Sequence, residues 1–393
     1  MRFEPAAPAL EGVIPLCVPE LDGNEWSYIK ECLDANWISS AGPYVDRFEE
    51  AVAGYLGARY AVATVNGTAA LHIAILAAGV EADDEVLVPT LSFIAPANAV
   101  RYVGAWPVFM DAEALCWQMD AGKVKDFLEK ECVWENGKLL NKSTRRRIKA
   151  VLPVHILGHP CDMDPLLELA RKYNLAVIED AAESLGAQYK GRKAGRLGDI
   201  ACLSFNGNKI ITTGGGGMIL TDNEAWASRA RYLTVQAKND SAEGVHDEIG
   251  YNYRLTNIQA ALGCAQMERL DHHIAAKRRI AAAYTQALEP LSGILPMREA
   301  EWAFSIFWMY TALIEQARFS DSREFLRRLG DVKIEARSLW QPLHLSRAHQ
   351  DCQSYRCEWA EQLNKRAICL PCSVGLSPSD QLSVIAEISR LCL

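Results

Sequence analysis

Between Pro43 and Leu203 the chain alternates short apolar runs with stretches of helical spacing, and this alternation is what most restricts its fold. The runs are Tyr60 to Val65, Glu85 to Pro89, Pro107 to Met110, Ala150 to Val154 and Leu175 to Asp180. Runs separated by helix-length segments predict a mostly parallel sheet covered by helices. In such sheets ligands gather at the carboxyl ends of the strands, so the residues just past each run deserve the closest reading.

Asp180 closes the run Leu175-Ala176-Val177-Ile178, where a carboxylate is poorly placed for solvation alone. A second run, Ile200 to Phe205, delivers Lys209 just past its own end, before the glycines Gly214 to Gly217. Two strand ends then face one pocket. Most lysines are surface charges and most glycine runs are turns, but a lysine amine opposite a buried carboxylate suits a particular chemistry. The amine forms a Schiff base with an aldehyde cofactor, and the carboxylate keeps a pyridine nitrogen protonated so that the ring accepts electrons. The pattern reads as a pyridoxal phosphate (PLP) site. Asn66-Gly67-Thr68 opens a helix whose first amides, with the Thr68 hydroxyl, can cradle a phosphate; plain capping by Asn66 and Thr68 is the simpler alternative.

The rest of the chain predicts one long helix over Thr256 to Leu288, broken at most once, then a smaller α/β unit with apolar strands Trp308 to Ile314 and Ala367 to Leu370 and a helix from Ser320 to Leu329. We place a large domain with an amino-terminal arm at 1–265 and a small domain at 266–393. A net charge of −8 in 393 residues argues against a general nucleic-acid binder. Arg145-Arg146-Arg147 with Lys149 reads as a solvated approach to a strand. Met1 to Leu10 lacks a basic region followed by an apolar one, and no apolar stretch nears the roughly 20 residues of a membrane helix, which predicts a cytoplasmic protein. Twelve scattered cysteines predict reduced thiols, and Cys369-Leu370-Pro371-Cys372 lacks the second pair of a zinc site. His155 and His159 stand at a ligand-like spacing, but Gly158 and Pro160 rule out a helix presenting both to a metal.

From about Pro15 to Leu376 the sequence resembles the DegT/StrS sugar aminotransferases, of the aspartate-aminotransferase (type I PLP-dependent transferase) fold. The carriers are Trp37-Ile38-Ser39-Ser40-Ala41-Gly42-Pro43, Asn66 to Leu71, Pro89 to Asn98, Glu179 to Gly186, Gly198 to Ile200, Ser204 to Gly217, Gly250 to Gly263 and Pro342-Leu343-His344. The wording is nearest the legionaminic-acid and bacillosamine branch. The resemblance implies Lys209 as the Schiff-base lysine and proton shuttle, Asp180 as partner of the pyridine nitrogen, Glu183 toward the phenolic oxygen and Phe93 stacked on the ring. It implies Gly67, Thr68 and Ser204 on the phosphate, joined by Asn252 from a neighbouring subunit, hence a homodimer with shared sites. Arg254 and His344 match positions near the substrate, and no metal is expected. Pro96, Leu157 and Gly214 to Gly217 depart from the commoner family wording and bear on sugar specificity.

The expected reaction moves an amino group from L-glutamate to the 4-keto carbon of a UDP- or GDP-linked 2-acetamido-2,6-dideoxy sugar. Amination of another deoxysugar or a cyclitol, sugar dehydration, and a non-catalytic role on the same fold are the alternatives. Retention of Lys209 argues against dehydration, whose practitioners carry His at that position.

Overall fold

The computed structural model describes residues 12–239, 244–315 and 322–392; the Met1 to Leu10 segment lies outside them. Seven strands of the amino-terminal part form most of one sheet: β1 (Tyr60–Thr64), β2 (Glu85–Pro89), β3 (Trp106–Met110), β4 (Ile148–Val151), β5 (Ala176–Asp180), β6 (Ile200–Ser204) and β7 (Gly217–Thr221). Four more lie in the carboxyl-terminal part, β8 (Ile294–Pro296), β9 (Tyr310–Ile314), β10 (Arg337–Ser338) and β12 (Ala367–Leu370), with β11 (Ser354–Tyr355) between the last two.

The large sheet runs β1-β7-β6-β5-β4-β2-β3-β11, and within it only β7 is antiparallel to its neighbours. Strands such as Val86-Leu87-Val88 are wholly buried because helices cover both faces, which is why they read as continuous apolar runs. Helices α1 (Glu25–Asp34), α2 (Pro43–Leu56), α3 (Gly67–Ala77) and α4 (Ala95–Tyr102) precede or join the first strands. The second sheet, β8-β9-β12-β10, is antiparallel throughout. β11 crosses back to pair with β3, so the large sheet ends on a strand from near the carboxyl terminus.

The predicted long helix is continuous over Asn257–Leu288, 32 residues or about 48 Å. Thr256 caps it in a reciprocal pair with Gln259, a local reason for the helix to start there. Position 265 falls inside this helix. Its first half packs on α1 and α2, while Tyr284 donates to the Pro371 carbonyl of the second unit (2.9 Å). The Ser320 to Leu329 helix is described from Ser322, over Ser322–Asp331. The basic run ends in ion pairs, Arg145 with Glu135 and Arg147 with Asp84. Among the described residues no helix is long and apolar enough to cross a membrane.

Candidate active site

A cavity of about 410 Å³ opens at the carboxyl ends of β1, β2, β5 and β6. Gly67, Thr68, Phe93, Asp180, Glu183, Ser204 and Lys209 all line it. A wider hollow of about 980 Å³ lies at the opposite, amino ends of β5 and β6 and holds none of these residues. Its carboxylates are already matched, Asp164 by Lys190 and Arg192, and Asp222 by Arg196.

Asn66 accepts from the Ala69 amide (2.8 Å), which sets the start of α3. The amides of Gly67 and Thr68 then stand in the first turn, where no preceding helical carbonyl can reach them. A Cβ on Gly67 would meet Ser204 Cβ at 2.8 Å, so this turn and the end of β6 touch only because the residue is glycine. Gly217 has a similar cause: its Cβ would strike the Asn66 carbonyl at 2.5 Å. Gly217 therefore lets β7 pack against the turn that opens α3.

Asp180, the last residue of β5, is buried, and burial pushes its carboxyl up to about 6 against the Ala182 amide, which donates to Oδ1 (3.0 Å) and draws it down. Glu183 sits three residues on, with Oε1 accepting from Lys209 Nζ (3.1 Å) and Oε2 from the Leu157 amide (2.9 Å). Leu157 presents that amide from the left-handed region (φ 63°) while fully buried, a conformation branched residues adopt only when the surroundings hold them. Lys209 Nζ also lies 4.2 Å from the Trp308 ring centroid. Phe93 is 56 % exposed, an aromatic face turned into the cavity rather than into the core.

Behind Asp180, the buried Glu179 accepts from His155 Nε2 (2.9 Å) and from the amides of Gly195 (2.9 Å), Leu197 (2.6 Å) and Gly198 (2.6 Å). Burial opposes its charge, yet these donors hold the carboxyl below its usual range. His155 Nδ1 accepts from the Cys161 amide (3.0 Å), which leaves Nε2 to donate to Glu179. His159 is likewise occupied, Nδ1 donating to the Pro160 carbonyl (2.8 Å) and Nε2 accepting from Ala300 (3.1 Å). Both histidines fasten loops, their ring nitrogens taken up by these bonds.

Three predicted residues stand outside the cavity of the single chain. Asn252 is exposed and bridged to Val235. Arg254 pairs with Thr64 and lines a separate shallow hollow with Glu49 and Arg231. His344 bonds Thr90 Oγ1 through Nδ1 (2.7 Å) and Glu361 through Nε2 (3.3 Å). In turn, Trp308, Arg337 and Trp340 line the cavity without having been singled out in the sequence. In sequence Trp308 is only the start of an apolar strand, and Arg337 lies five residues before the Pro342-Leu343-His344 motif, the one signal that points toward it.

The donor set fits PLP. A Cβ-free cradle with two first-turn amides could take the phosphate, a buried carboxylate could face the ring nitrogen, an aromatic could cover the ring, and the lysine stands between them. Fold and site together define a type I PLP-dependent aminotransferase. The chain belongs to the DegT/DnrJ/EryC1/StrS aminotransferase family, whose model matches residues 19–389. It is 40% identical to the GDP-perosamine synthase of Caulobacter vibrioides over 96% of this chain and 98% of the relative, and 41% identical to that of Escherichia coli O157:H7 over 95% and 97%. It is similar in structure to the aminotransferase TlmJ from Streptoalloteichus hindustanus, with a TM-score of 0.86 and 29% identity over 96% and 98% of the two chains.

Proposed function

We propose that this aminotransferase transfers the amino group of L-glutamate to the 4-keto carbon of a nucleotide-linked 6-deoxyhexos-4-ulose, as a homodimer in which each cavity receives Asn252 from the other subunit. The observation that carries the reading is the gathering of Lys209, Asp180, Glu183, Phe93, Gly67, Thr68 and Ser204 in one cavity, paired with near full-length likeness to enzymes named for GDP-perosamine, a 4-amino sugar. That likeness favours GDP over UDP. The motif wording shared with the legionaminic-acid and bacillosamine branch supports the second reading, a 2-acetamido acceptor.

When bound, PLP supplies an electron sink for the negative charge that develops at the donor's α-carbon. Lys209 Nζ would hold the cofactor between turnovers and, when free, carry the donor's α-proton. Asp180 keeps a negative charge beside the ring nitrogen in a dry site, where one charge acts strongly on another. Glu183, fixed by the Leu157 amide, faces the lysine at 3.1 Å and orients it. Gly67, Thr68 and Ser204 would hold the phosphate, and Phe93 would pack on the ring face. Among the described residues lining the cavity, the cations are Lys209 and Arg337. With Lys209 committed to the cofactor, Arg337 is left to meet the carboxylate of the donor or the diphosphate of the acceptor.

Incubation with PLP, L-glutamate and either GDP-4-keto-6-deoxymannose or a UDP-linked 2-acetamido-4-keto sugar, with 2-oxoglutarate and the aminated sugar measured, tests the proposal. Aminated GDP sugar is the expected product. Turnover of the acetamido sugar alone would transfer the assignment to the second reading, and failure with both would overturn it.

A further inference from the structure

Cys369 and Cys372, with two residues between them in sequence, part company in the fold: Cys369 lines the cavity, while Cys372 stands outside its lining and shares Lys277 with Cys17. The Cys372 amide donates to the Leu16 carbonyl (2.8 Å) and the Val18 amide to Ser373 Oγ (3.0 Å), which sets the two short segments edge to edge. Between the sulfurs stands Lys277. Its Nζ is 3.5 Å from Cys17 Sγ, 3.6 Å from Cys372 Sγ and 2.9 Å from the Trp308 carbonyl, and the residue is 2% exposed. Among the described residues no carboxylate comes within ion-pair distance of it. A buried ammonium without a counter-charge is strongly disfavoured, and the anion on hand is a thiolate.

The two cysteines are not equivalent. Cys17 is partly exposed, whereas Cys372 is 1% exposed. A hydrogen bond from Cys372 and, with burial opposing, the charge of Lys277 bring the Cys17 thiol down to about 6. The bond to Cys17 and burial push Cys372 well above the usual thiol range. Cys17 is the more exposed residue and the readier thiolate, Cys372 the buried partner, the division of labour of an attacking and a resolving cysteine.

We propose that Cys17 and Cys372 form a peroxide-driven disulfide switch beside the cofactor cavity, with Lys277 holding the attacking thiolate. The Cys17 sulfur attacks hydrogen peroxide; an S–O bond forms, the O–O bond breaks, and the departing hydroxide takes a proton to become water. The sulfur gives two electrons to the peroxide and becomes a sulfenic acid. Cys372 then loses its proton and attacks that sulfur; the S–S bond forms, the S–O bond breaks and a second water leaves. Two thiols and one peroxide thus give one disulfide and two waters.

The link reaches the cofactor lysine through two short contacts. In its thiol form Cys17 donates from Sγ to the carbonyl of Asn208 (3.5 Å), the residue before Lys209, and the Trp308 indole donates to the same carbonyl (2.7 Å). The Trp308 ring in turn faces Lys209 Nζ, and its own carbonyl holds Lys277. Oxidation removes the anion from Lys277 and draws the Cys17 sulfur away from Asn208, so the loop carrying Lys209 loses its set.

The test treats holoenzyme with hydrogen peroxide, blocks free thiols with N-ethylmaleimide and maps unreduced peptides, beside an assay of the glutamate half-reaction. The expected result is a Cys17–Cys372 peptide about two mass units lighter than its free halves. Turnover falls roughly tenfold, in keeping with the sensitivity of such chemistry to small displacements, and dithiothreitol reverses both changes. Whatever its basal level, turnover of Cys17→Ser no longer falls with peroxide, and Cys372→Ser stalls at a sulfenic acid trapped by dimedone. A bridge from Cys17 to Lys277, heavier by about 14 mass units, a Cys17 that alkylates no faster than buried Cys202, or a link that leaves turnover unchanged each overturns the switch. Peptide mapping of the wild type decides even where a variant folds poorly, and it is independent of the acceptor sugar.

Discussion

Asp180 shows how a single residue can serve the site at the expense of the fold. Its native carboxyl titrates near 6 because it is buried, above the ordinary value of about 3.9. The native state therefore binds a proton more tightly than the unfolded chain does. The sign follows: stability from this group is present below the unfolded value and is lost as pH rises through about 6. Asp180→Asn, which keeps an oxygen for the Ala182 amide, should make cofactor-free protein at least as stable as wild type at pH 8 and flatten its melting profile between about pH 4 and 7. The same change should cost roughly 10²–10³-fold in kcat by removing the charge beside the ring. Melting curves across pH settle the first half; a variant less stable than wild type at pH 8 would show that the charge is paid for within the apo fold. Arg337→Ala should raise KM for one of the two anionic substrates by roughly ten- to a hundredfold, with kcat little changed, since a truncated charge contact costs about 1.5–3 kcal/mol. Lys209 and Asp180 were legible in sequence because their chemistry is rare past a strand end. Arg337 was not, because an arginine before a loop is an ordinary surface residue until a distant strand brings it to the cavity.

At the scale of elements, the alternation of runs and helices revealed the parallel core, since strands buried on both faces leave an unbroken apolar signature. The two-residue strands β10 and β11 left no such signature; their pairing comes from the strands they meet, not from their own residues. The same contrast separates two glycines. Gly67 starts α3 against β6, and an added methyl would sit 2.8 Å from Ser204 Cβ. Gly67→Ala should push the helix start away, weakening PLP binding by about tenfold or more and costing about 1–3 kcal/mol of stability. Gly54 lies exposed inside α2 with nothing within 4 Å of its would-be Cβ. Gly54→Ala should stabilise the helix by about 0.5–1 kcal/mol without touching cofactor affinity. Spectral titration with PLP and thermal melts of the two variants form one experiment. Equal PLP affinity in both would mean that the α3 turn does not hold the phosphate.

For the whole molecule the open question is what Asn252 does from outside the cavity. In one chain it is exposed and bridged to Val235, while Gly67, Thr68 and Ser204 line the site without it. If it completes the neighbour's phosphate cradle, defects at Lys209 and Asn252 must complement each other across a two-fold interface. Lys209→Ala and Asn252→Ala homodimers should each be nearly inactive, the first for want of the amine and the second for want of tightly held cofactor. After equal mixing and exchange, half the dimers are mixed. In these, one cavity carries both defects and the other neither, so activity should return to about a quarter of wild type. Were Asn252 to act within its own subunit, every cavity of a mixed dimer would keep one defect and nothing would return. Sequence could suggest this partnership only through resemblance, because a residue that works in trans leaves no trace in the spacing of its own chain.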